Sequence, residues 1–143
     1  MSFRNPDAAT IENLLRLARS IAVVGLSANP AQPSFGVARS LQRFGYRVIP
    51  VNPTATEILG EHCQPTLDAA VSSLPHGERI DIVDVFRRRE HVAAIADDCI
   101  RLKLPVLWLQ DGVIDVAAAT RAQAAGIVTI MDRCIFRERA LFS

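Results

Sequence analysis

Five short apolar segments alternate with segments of helical periodicity along the chain. The apolar segments cover residues 21–26, 46–51, 80–86, 106–109 and 127–131. Between the third and the fourth, apolar side chains recur at helical intervals, at Val92, Ile95, Ala96, Cys99 and Ile100. Strands that are apolar on both faces and alternate with helices are typical of a parallel sheet that helices cover on both sides. The alternation therefore predicts an α/β fold.

Residues that start helices complete this outline. Asn5-Pro6-Asp7 predicts a first helix with Asn5 as its cap, and Ser34 and Asp115 predict the caps of two further helices. Right-handed crossovers then favour a Rossmann-like doubly wound sheet of five parallel strands in the order 3-2-1-4-5. Because the sequence contains no linker or repeat, we predict a single domain over residues 1–143, with the helix of residues 1–20 packed on it.

Composition argues against several classes of protein. The formal net charge is +1, which gives no reason to expect a nucleic-acid-binding surface. No apolar run approaches the roughly 18 residues of a membrane span, and the N-terminal segment lacks the apolar core of a secretory signal. Three cysteines without a CxxC pair argue against a disulfide framework and indicate a reducing compartment. We therefore expect a cytoplasmic protein, and leave open a protein partner or a homo-oligomer.

The loop after the first strand is a candidate ligand site, because ligands of doubly wound sheets bind beyond the carboxyl ends of the strands. Gly25 allows a tight turn, and Ser27 and Asn29 can donate hydrogen bonds to phosphate oxygens. The helix that starts at Ser34 adds free N–H groups and the positive end of its dipole. Ser27 and Pro30 stand where the dinucleotide fingerprint G-x-G-x-x-G has its second and third glycines. The loop suits a phosphate but departs from the dinucleotide motif.

The turn after the second strand lacks the acid that NAD-binding proteins use to hold the ribose hydroxyls. The strand ends at Val51-Asn52-Pro53, and residues 13–56 contain five arginines and no Asp or Glu. A region without carboxylates suits a ligand with an extra ribose phosphate, so NADP or coenzyme A is favoured over NAD. Arg39 is the phosphate candidate, because it lies just over one helical turn from Ser34. A solvated helix surface is the alternative role for these arginines.

The third strand ends in "VFRRRE", which adds an aromatic residue and three cations. Phe86 can pack against a base or a pantetheine arm, and Arg87 can bind a phosphate. Since neighbouring side chains on a helix point apart, we expect Arg88 and Arg89 to be exposed. Asp84 is an acid within a buried strand, so we expect it to have a hydrogen-bonding partner such as a helix N-terminus or an arginine.

Groups for catalysis are sparse. Cys134 follows the last strand and could form a mixed disulfide with a thiol ligand; a buried, inert cysteine is the alternative. His62-Cys63 has no second ligand pair nearby, so no zinc site is predicted. Asp81 and Asp84 lie at odd separation on one strand, hence on opposite faces, and form no carboxylate pair. The residues therefore favour a binding protein over an enzyme.

Five strings, in this order and at this spacing, resemble the stand-alone CoA-binding domain proteins, a family similar to the N-terminal domain of the succinyl-CoA synthetase α subunit. The strings are "AVVGLSANPAQPSFGVARSLQRFGYRVIPVNP", "ILGEHC", "IDIVDVFRRRE", "LWLQDGV" and "MDRCIFRE". The resemblance spans residues 21–138 and includes non-repetitive strings such as "VIPVNP" and "MDRC". It implies a Rossmann-like sheet that binds coenzyme A at the carboxyl ends of its strands.

The resemblance also implies particular contacts. The loop that holds CoA phosphate matches Ser27, Ala28, Asn29 and Pro30. The adenine-side turn matches Val51, Asn52, Pro53 and Thr54. The aromatic after the third strand matches Phe86, and the turn along the pantetheine matches Leu109, Gln110 and Asp111. The synthetase domain has a glycine where this chain has Ala28 and a lysine just past the second strand, neither of which this chain carries, so we expect Arg39 or Arg47 to replace that phosphate contact.

Three hypotheses of function result. The leading hypothesis is a single-domain protein that binds CoA or an acyl-CoA as a non-catalytic carrier, sensor or partner module. The second is an NADP-binding oxidoreductase module. The third is a small CoA-dependent enzyme that uses Cys134 or Asp84. The synthetase's phosphohistidine domain has no counterpart in this sequence, so the resemblance implies the ligand and not the reaction.

Overall fold

A computed structural model of the chain describes residues 2–142. Within them the strands are β1 (Ser20–Val24), β2 (Arg47–Val51), β3 (Glu57–Ile58), β4 (Glu61–His62), β5 (Ile82–Val85), β6 (Val106–Leu109) and β7 (Val128–Ile130). The helices are α1 (Ala8–Leu17), α2 (Pro33–Arg43), α3 (Leu67–Ser72), α4 (Arg89–Arg101), α5 (Val116–Ala124) and α6 (Ile135–Ala140). Strands β1, β2, β5, β6 and β7 form one parallel sheet, which confirms the predicted fold class.

The order of the main sheet is β2-β1-β5-β6-β7, so the predicted order 3-2-1-4-5 is wrong. Strand β5 pairs with β1 and leaves β2 at the edge. Pro50 in β2 provides the physical reason, because proline has no N–H to donate to a second neighbouring strand. The carbonyl of Pro50 faces the outer edge, where it accepts from the Gln64 N–H at 2.9 Å. The switch point of the sheet therefore lies between β1 and β5.

Helices bury both faces of the sheet, as predicted. Successive residues of a strand point to opposite faces, so Ile21 and Val23 pack with α1, α2 and α6, while Ala22 and Val24 pack with α3, α4 and α5. Trp108 of β6 is fully buried in the first of these layers. The N-terminal helix contributes to the same layer and so packs on the sheet. Residues 1 and 143 of the predicted domain lie outside the described residues.

The N-cap of α1 and the hydrogen bonds of Asn5 differ from the prediction. Asp7, and not Asn5, caps α1, and its carboxylate accepts from the Thr10 N–H at 2.8 Å. The Asn5 amide instead pairs with the backbone of Met131, donating to its carbonyl at 3.0 Å and accepting from its N–H at 2.8 Å. A side-chain amide thus takes the place of a strand partner beyond the end of β7. The predicted cap of α5, Asp115, is confirmed.

Candidate functional site

The carboxyl ends of β1, β2, β5 and β6 surround one cleft, here called the switch-point cleft. The part beside β6 has a volume of about 640 Å³ and the part beside β2 about 440 Å³. Both parts are lined by Gly25, Ser27, Phe86, Arg87 and Arg88. The β2 part adds Leu26, Asn52, Pro53, Thr54 and His91, and the β6 part adds Asn29, Gln32, Pro33, Ser34, Gln110, Asp111 and Val113. Small-molecule sites have volumes in this range.

Gly25 brings the loops after β1 and β5 into contact. Its φ of +86° lies in the left-handed region, and a Cβ at this position would lie 2.7 Å from the Phe86 carbonyl oxygen and 2.8 Å from Cδ of Arg87. A side chain is therefore excluded both by the backbone conformation and by the space available. The predicted tight turn is confirmed, and the close approach of Phe86 is a second reason for glycine that only the structure reveals.

The loop between β1 and α2 is ordered by its own side chains. The Ser34 hydroxyl accepts from the Ser27 N–H at 3.0 Å, the Ser27 hydroxyl accepts from the Asn29 N–H at 3.0 Å, and the Asn29 carboxamide oxygen accepts from the Ala31 N–H at 3.0 Å. Each of these bonds uses a side-chain oxygen as acceptor. The hydroxyl hydrogens of Ser27 and Ser34 and the amide hydrogens of Asn29 thus remain available to donate to a ligand.

Asn52 joins the loop after β2 to the loop after β1. Its amide nitrogen donates to the Leu26 carbonyl at 2.9 Å, and its oxygen accepts from the Thr54 N–H at 2.8 Å and the Ala55 N–H at 3.0 Å. The Thr54 hydroxyl also donates to this oxygen, at 3.0 Å. With its amide occupied in this way, Asn52 shapes the β2 end of the cleft, and the exposed ring of Pro53 is left to border a ligand.

The charge of the cleft is positive at its β2 end. The residues that line this part include Arg87, Arg88 and His91 and no carboxylate. Within residues 2–142 neither arginine forms an ion pair, so both guanidinium groups can bind an anion. The acid at the β6 end, Asp111, is paired with Arg137 at 2.8 Å. The absence of Asp and Glu over residues 13–56 of the sequence thus extends to the lining of this part of the cleft.

Two helices begin at the cleft without a side-chain cap. Gln32 is the N-cap of α2 and Arg88 that of α4, and neither side chain accepts from its helix. Asp7, Thr66 and Asp115 do cap α1, α3 and α5. Uncapped N-termini offer N–H donors and a positive dipole end to an anion. The predicted cap Ser34 is wrong by two residues: Pro33 takes the first helical position, which suits proline, and Ser34 follows it inside α2.

The β6 end of the cleft is held by a network to α6. Gln110 is buried, and its carboxamide oxygen accepts from the Ile135 N–H at 3.0 Å. The Trp108 indole donates to the Arg133 carbonyl at 2.9 Å. Gln110 therefore contributes a fixed wall, beside which the half-buried Phe86 ring provides the aromatic surface expected from the sequence.

Asp84 lies directly beneath the floor of the cleft. It pairs in register with Val23 and Trp108, and the residues two positions further along the three strands, Gly25, Phe86 and Gln110, all line the cleft. Asp84 is fully buried, and its two carboxylate oxygens have no hydrogen-bond partner among the described residues. The predicted partner is thus not there. Burial, and secondly the charge of Asp111, raise the pKa of Asp84 well above the ordinary value of 3.8.

The predicted site residues divide into two groups. Those that line the cleft are Gly25, Ser27, Asn29, Ser34, Asn52, Pro53, Thr54, Phe86, Arg87, Gln110 and Asp111. Those outside its lining are Ala28, Pro30, Arg39, Val51, Leu109 and Cys134. Ala28 and Pro30 are exposed in the same loop, Val51 and Leu109 are buried at strand ends, and Cys134 is buried where α6 begins.

The arginines expected to replace the lysine of the synthetase domain lie outside the lining of the cleft. Arg47 is the first residue of β2, at the end of the strand away from the cleft, and pairs with Glu78 at 2.7 Å. Arg39 is in the middle of α2, and its guanidinium lies 5.8 Å from the centre of the Phe35 ring. The cleft arginines are Arg87 and Arg88 instead. Arg88 is exposed, as predicted, yet lines both parts of the cleft.

Other classes of site find no support in the described part of the chain. Residues 2–142 contain no group of three or more His, Cys, Asp or Glu side chains that could hold a metal ion. None of the helices in this range is both long and apolar enough to cross a membrane. Cys63, Cys99 and Cys134 are free and buried.

Known proteins resemble this chain over most of its length. Residues 19–140 match the model of a family described as CoA binding domain. The uncharacterized protein YneT of Bacillus subtilis (strain 168) is 41% identical over 133 residues, which are 92% of this chain and 93% of that protein. A solved protein from Thermus thermophilus is 32% identical with a TM-score of 0.85, covering 96% of this chain and 100% of that one. Dinucleotide forming acetyl-coenzyme A synthetase 1 of Ca. Korarchaeum cryptofilum, in its apo form, is 25% identical with a TM-score of 0.66; the match covers 83% of this chain and 28% of the synthetase.

Proposed function

Because the chain belongs to the CoA-binding domain family, we propose that it binds coenzyme A or an acyl-CoA in the switch-point cleft and acts as a non-catalytic carrier, sensor or partner module. The observation that carries the proposal is the charge of the β2 end of the cleft. Arg87, Arg88 and His91 line it, and no carboxylate does. This suits a nucleotide with an added phosphate on its ribose and disfavours NAD, which needs an acid there.

The proposed ligand runs along the cleft from β2 to β6. Pro53 and Thr54 border the adenosine, whose ribose phosphate meets Arg87 and Arg88. The diphosphate lies at the uncapped start of α2, within reach of the Ser27 hydroxyl and the Asn29 amide. The pantetheine arm then passes Phe86, Gln110 and Val113 towards the β6 end. Each part of the ligand thereby faces groups of matching chemistry: cations, N–H donors and a mixed apolar wall.

The closest competing ligand is NADP, which shares the ribose phosphate. Isothermal titration calorimetry with CoA and with NADPH separates the two. We expect CoA to bind and NADPH to bind more weakly, because the loop after β1 lacks two glycines of the dinucleotide motif. Binding of NADPH without binding of CoA would reverse the assignment.

Three arginine variants test the position of the ligand. Arg88→Ala removes a charged hydrogen bond and should weaken CoA binding by at least about tenfold. Arg43→Ala, at the far end of α2, is the matched control and should leave the affinity unchanged. Arg39→Ala compares the sequence-based assignment with the geometric one. If Arg39→Ala weakens binding and Arg88→Ala does not, the ligand lies along α2 and the proposed position is wrong.

The cellular setting stays a prediction. Three free, buried cysteines fit the reducing cytoplasm expected from the sequence. Native mass spectrometry of the freshly purified protein would report both a retained ligand mass and the number of chains in the assembly. A mass increment equal to CoA or to an acyl-CoA supports the proposal, and an increment equal to NADP contradicts it.

A further inference from the structure

A second cavity opens next to the β6 end of the switch-point cleft. It has a volume of about 400 Å³ and is lined by Arg89, Ile114, Asp115, Val116, Ala117 and Thr120. We call it the α4–α5 cavity, since these residues belong to the starts of α4 and α5 and to the loop before α5. Ile114 and Val116 are 42% and 39% exposed. Two large apolar side chains are thus left open to solvent at the mouth of one cavity.

The α4–α5 cavity adjoins the proposed path of the pantetheine arm. Val113 lines the cleft and Ile114 lines the cavity, and Arg88 lines the cleft while Arg89 lines the cavity. Two chain segments, residues 113–114 and residues 88–89, therefore border both the cleft and the cavity. A cavity that shares two chain segments with the cleft is a candidate site for a group attached to the end of a pantetheine arm that passes Gln110 and Val113.

The α4–α5 cavity is lined by the apolar side chains of Ile114, Val116 and Ala117 together with the polar residues Arg89, Asp115 and Thr120. The carboxylate of Asp115 is occupied, because it accepts from the Ala118 N–H at 3.0 Å. The Thr120 hydroxyl is buried and has no hydrogen-bond partner among the described residues. The groups that remain to contact a ligand chain are therefore mainly the apolar side chains of Ile114, Val116 and Ala117. An acyl chain joined to CoA through its thioester matches this apolar wall.

We propose that the α4–α5 cavity binds the acyl group of a CoA thioester, so that the ligand of this protein is an acyl-CoA with a short apolar chain. The inference rests on the proposed function, because it takes the position of the pantetheine arm from it. It goes further by assigning the class of acyl group and the residues that select it: Ile114, Val116 and Ala117 contact the chain.

The test compares the affinities of CoA, acetyl-CoA, butyryl-CoA and succinyl-CoA by calorimetry. A buried methylene contributes about fourfold to affinity, so the two extra carbons of the butyryl group should strengthen binding by about fifteenfold over acetyl-CoA. Val116→Ser removes part of the apolar wall, and Ala117→Phe fills the cavity; both should bring the butyryl-to-acetyl ratio close to one. Val128→Ser is the matched control, since Val128 is 38% exposed but lies at the start of β7, and should preserve the ratio.

Each result decides between the assignments. Equal affinities for CoA, acetyl-CoA and butyryl-CoA would overturn the acyl cavity and leave the proposed function intact. Succinyl-CoA binding more tightly than butyryl-CoA would overturn the apolar class in favour of an acid that pairs with Arg89. A change of oligomeric state in Val116→Ser, with an unchanged butyryl-to-acetyl ratio, would show that a second copy covers the cavity. Failure of all four ligands to bind would overturn the proposed function itself.

Discussion

Replacing Asp84 by Asn should stabilise the protein relative to the wild type. This gain in unfolding free energy should be larger at neutral pH than at acidic pH. Asp84 is fully buried, and both its oxygens lack a hydrogen-bond partner in the described range. Burial raises the pKa of this carboxyl in the folded protein well above 3.8, and the charge of Asp111 raises it further. Asn has the same shape and cannot ionise, so the variant removes the ionisation and leaves the burial of a polar side chain in place.

The sign and the slope follow from proton linkage. In the unfolded chain Asp84 ionises near its ordinary pKa of about 3.9, whereas in the folded protein burial raises its pKa well above that value. Above that pH, folding must therefore take up a proton, and the wild type loses about 1.4 kcal/mol of unfolding free energy per pH unit until the folded-state pKa is reached. Below pH 4 the carboxyl is neutral in both states, so the two proteins should have similar stabilities. The advantage of Asp84→Asn should then grow with pH.

Urea unfolding of both proteins at pH 5, 6 and 7 measures this advantage directly. Asp68→Asn is a matched control: its exposed carboxylate bonds to Arg101, which lowers the pKa of Asp68, so Asp68 is ionised in both states throughout this pH range. The difference between Asp68→Asn and the wild type should therefore stay constant with pH. If the curves of Asp84→Asn and the wild type are also parallel from pH 5 to pH 7, Asp84 is ionised in the folded protein and the reasoning fails.

Two further predictions concern residues on opposite sides of the fold. Gly25→Ala should abolish CoA binding and lower the unfolding free energy by about 2 kcal/mol or more, because a positive φ and a Cβ 2.7 Å from the Phe86 carbonyl oxygen both oppose a side chain. Titration calorimetry measures the first effect and urea unfolding the second. A variant that binds CoA with wild-type affinity would contradict the first effect. Arg139→Ala should cost about 1–2 kcal/mol in the same unfolding assay, since its guanidinium lies 4.4 Å from the centre of the Phe44 ring and 4.6 Å from that of Phe142. CoA affinity should not change in this variant, because Arg139 lies outside the switch-point cleft.

The elements of this fold could be predicted from local patterns, but the order of its strands could not be read from the same signal. Apolar runs and helical periodicity depend on residues close together in sequence, and they predicted each strand of the main sheet. Strand order depends on which strand inserts beside β1, a long-range choice. One residue did carry part of that information: Pro50 in the second strand favours an edge position, which argues against an order in which β2 has a neighbour on both sides.

The site shows the same limit at the level of side chains. Glycine after a strand and the missing acid were visible in sequence, because the rule for doubly wound sheets brings the strand ends together. Arg88 and His91 were not identified as lining residues, since they belong to no motif and their approach to Ser27 depends on how α4 begins. Asp84 was recognised as an anomaly, but its lack of a partner depends on which groups the folded chain brings near.

Several helix ends and side chains around the cleft lack partners among the described residues. Together they indicate that its ligand is an anion. Helices α2 and α4 begin there without side-chain caps, although a cap contributes typically about 1 kcal/mol. Arg87 and Arg88 lie side by side without ion pairs in the part of the chain described. A polyanion would satisfy all of these groups at once, because its phosphates accept from N–H donors and from guanidinium groups. The same ligand would disfavour a negative charge beneath it, which is consistent with the raised pKa of Asp84 just below the floor of the cleft.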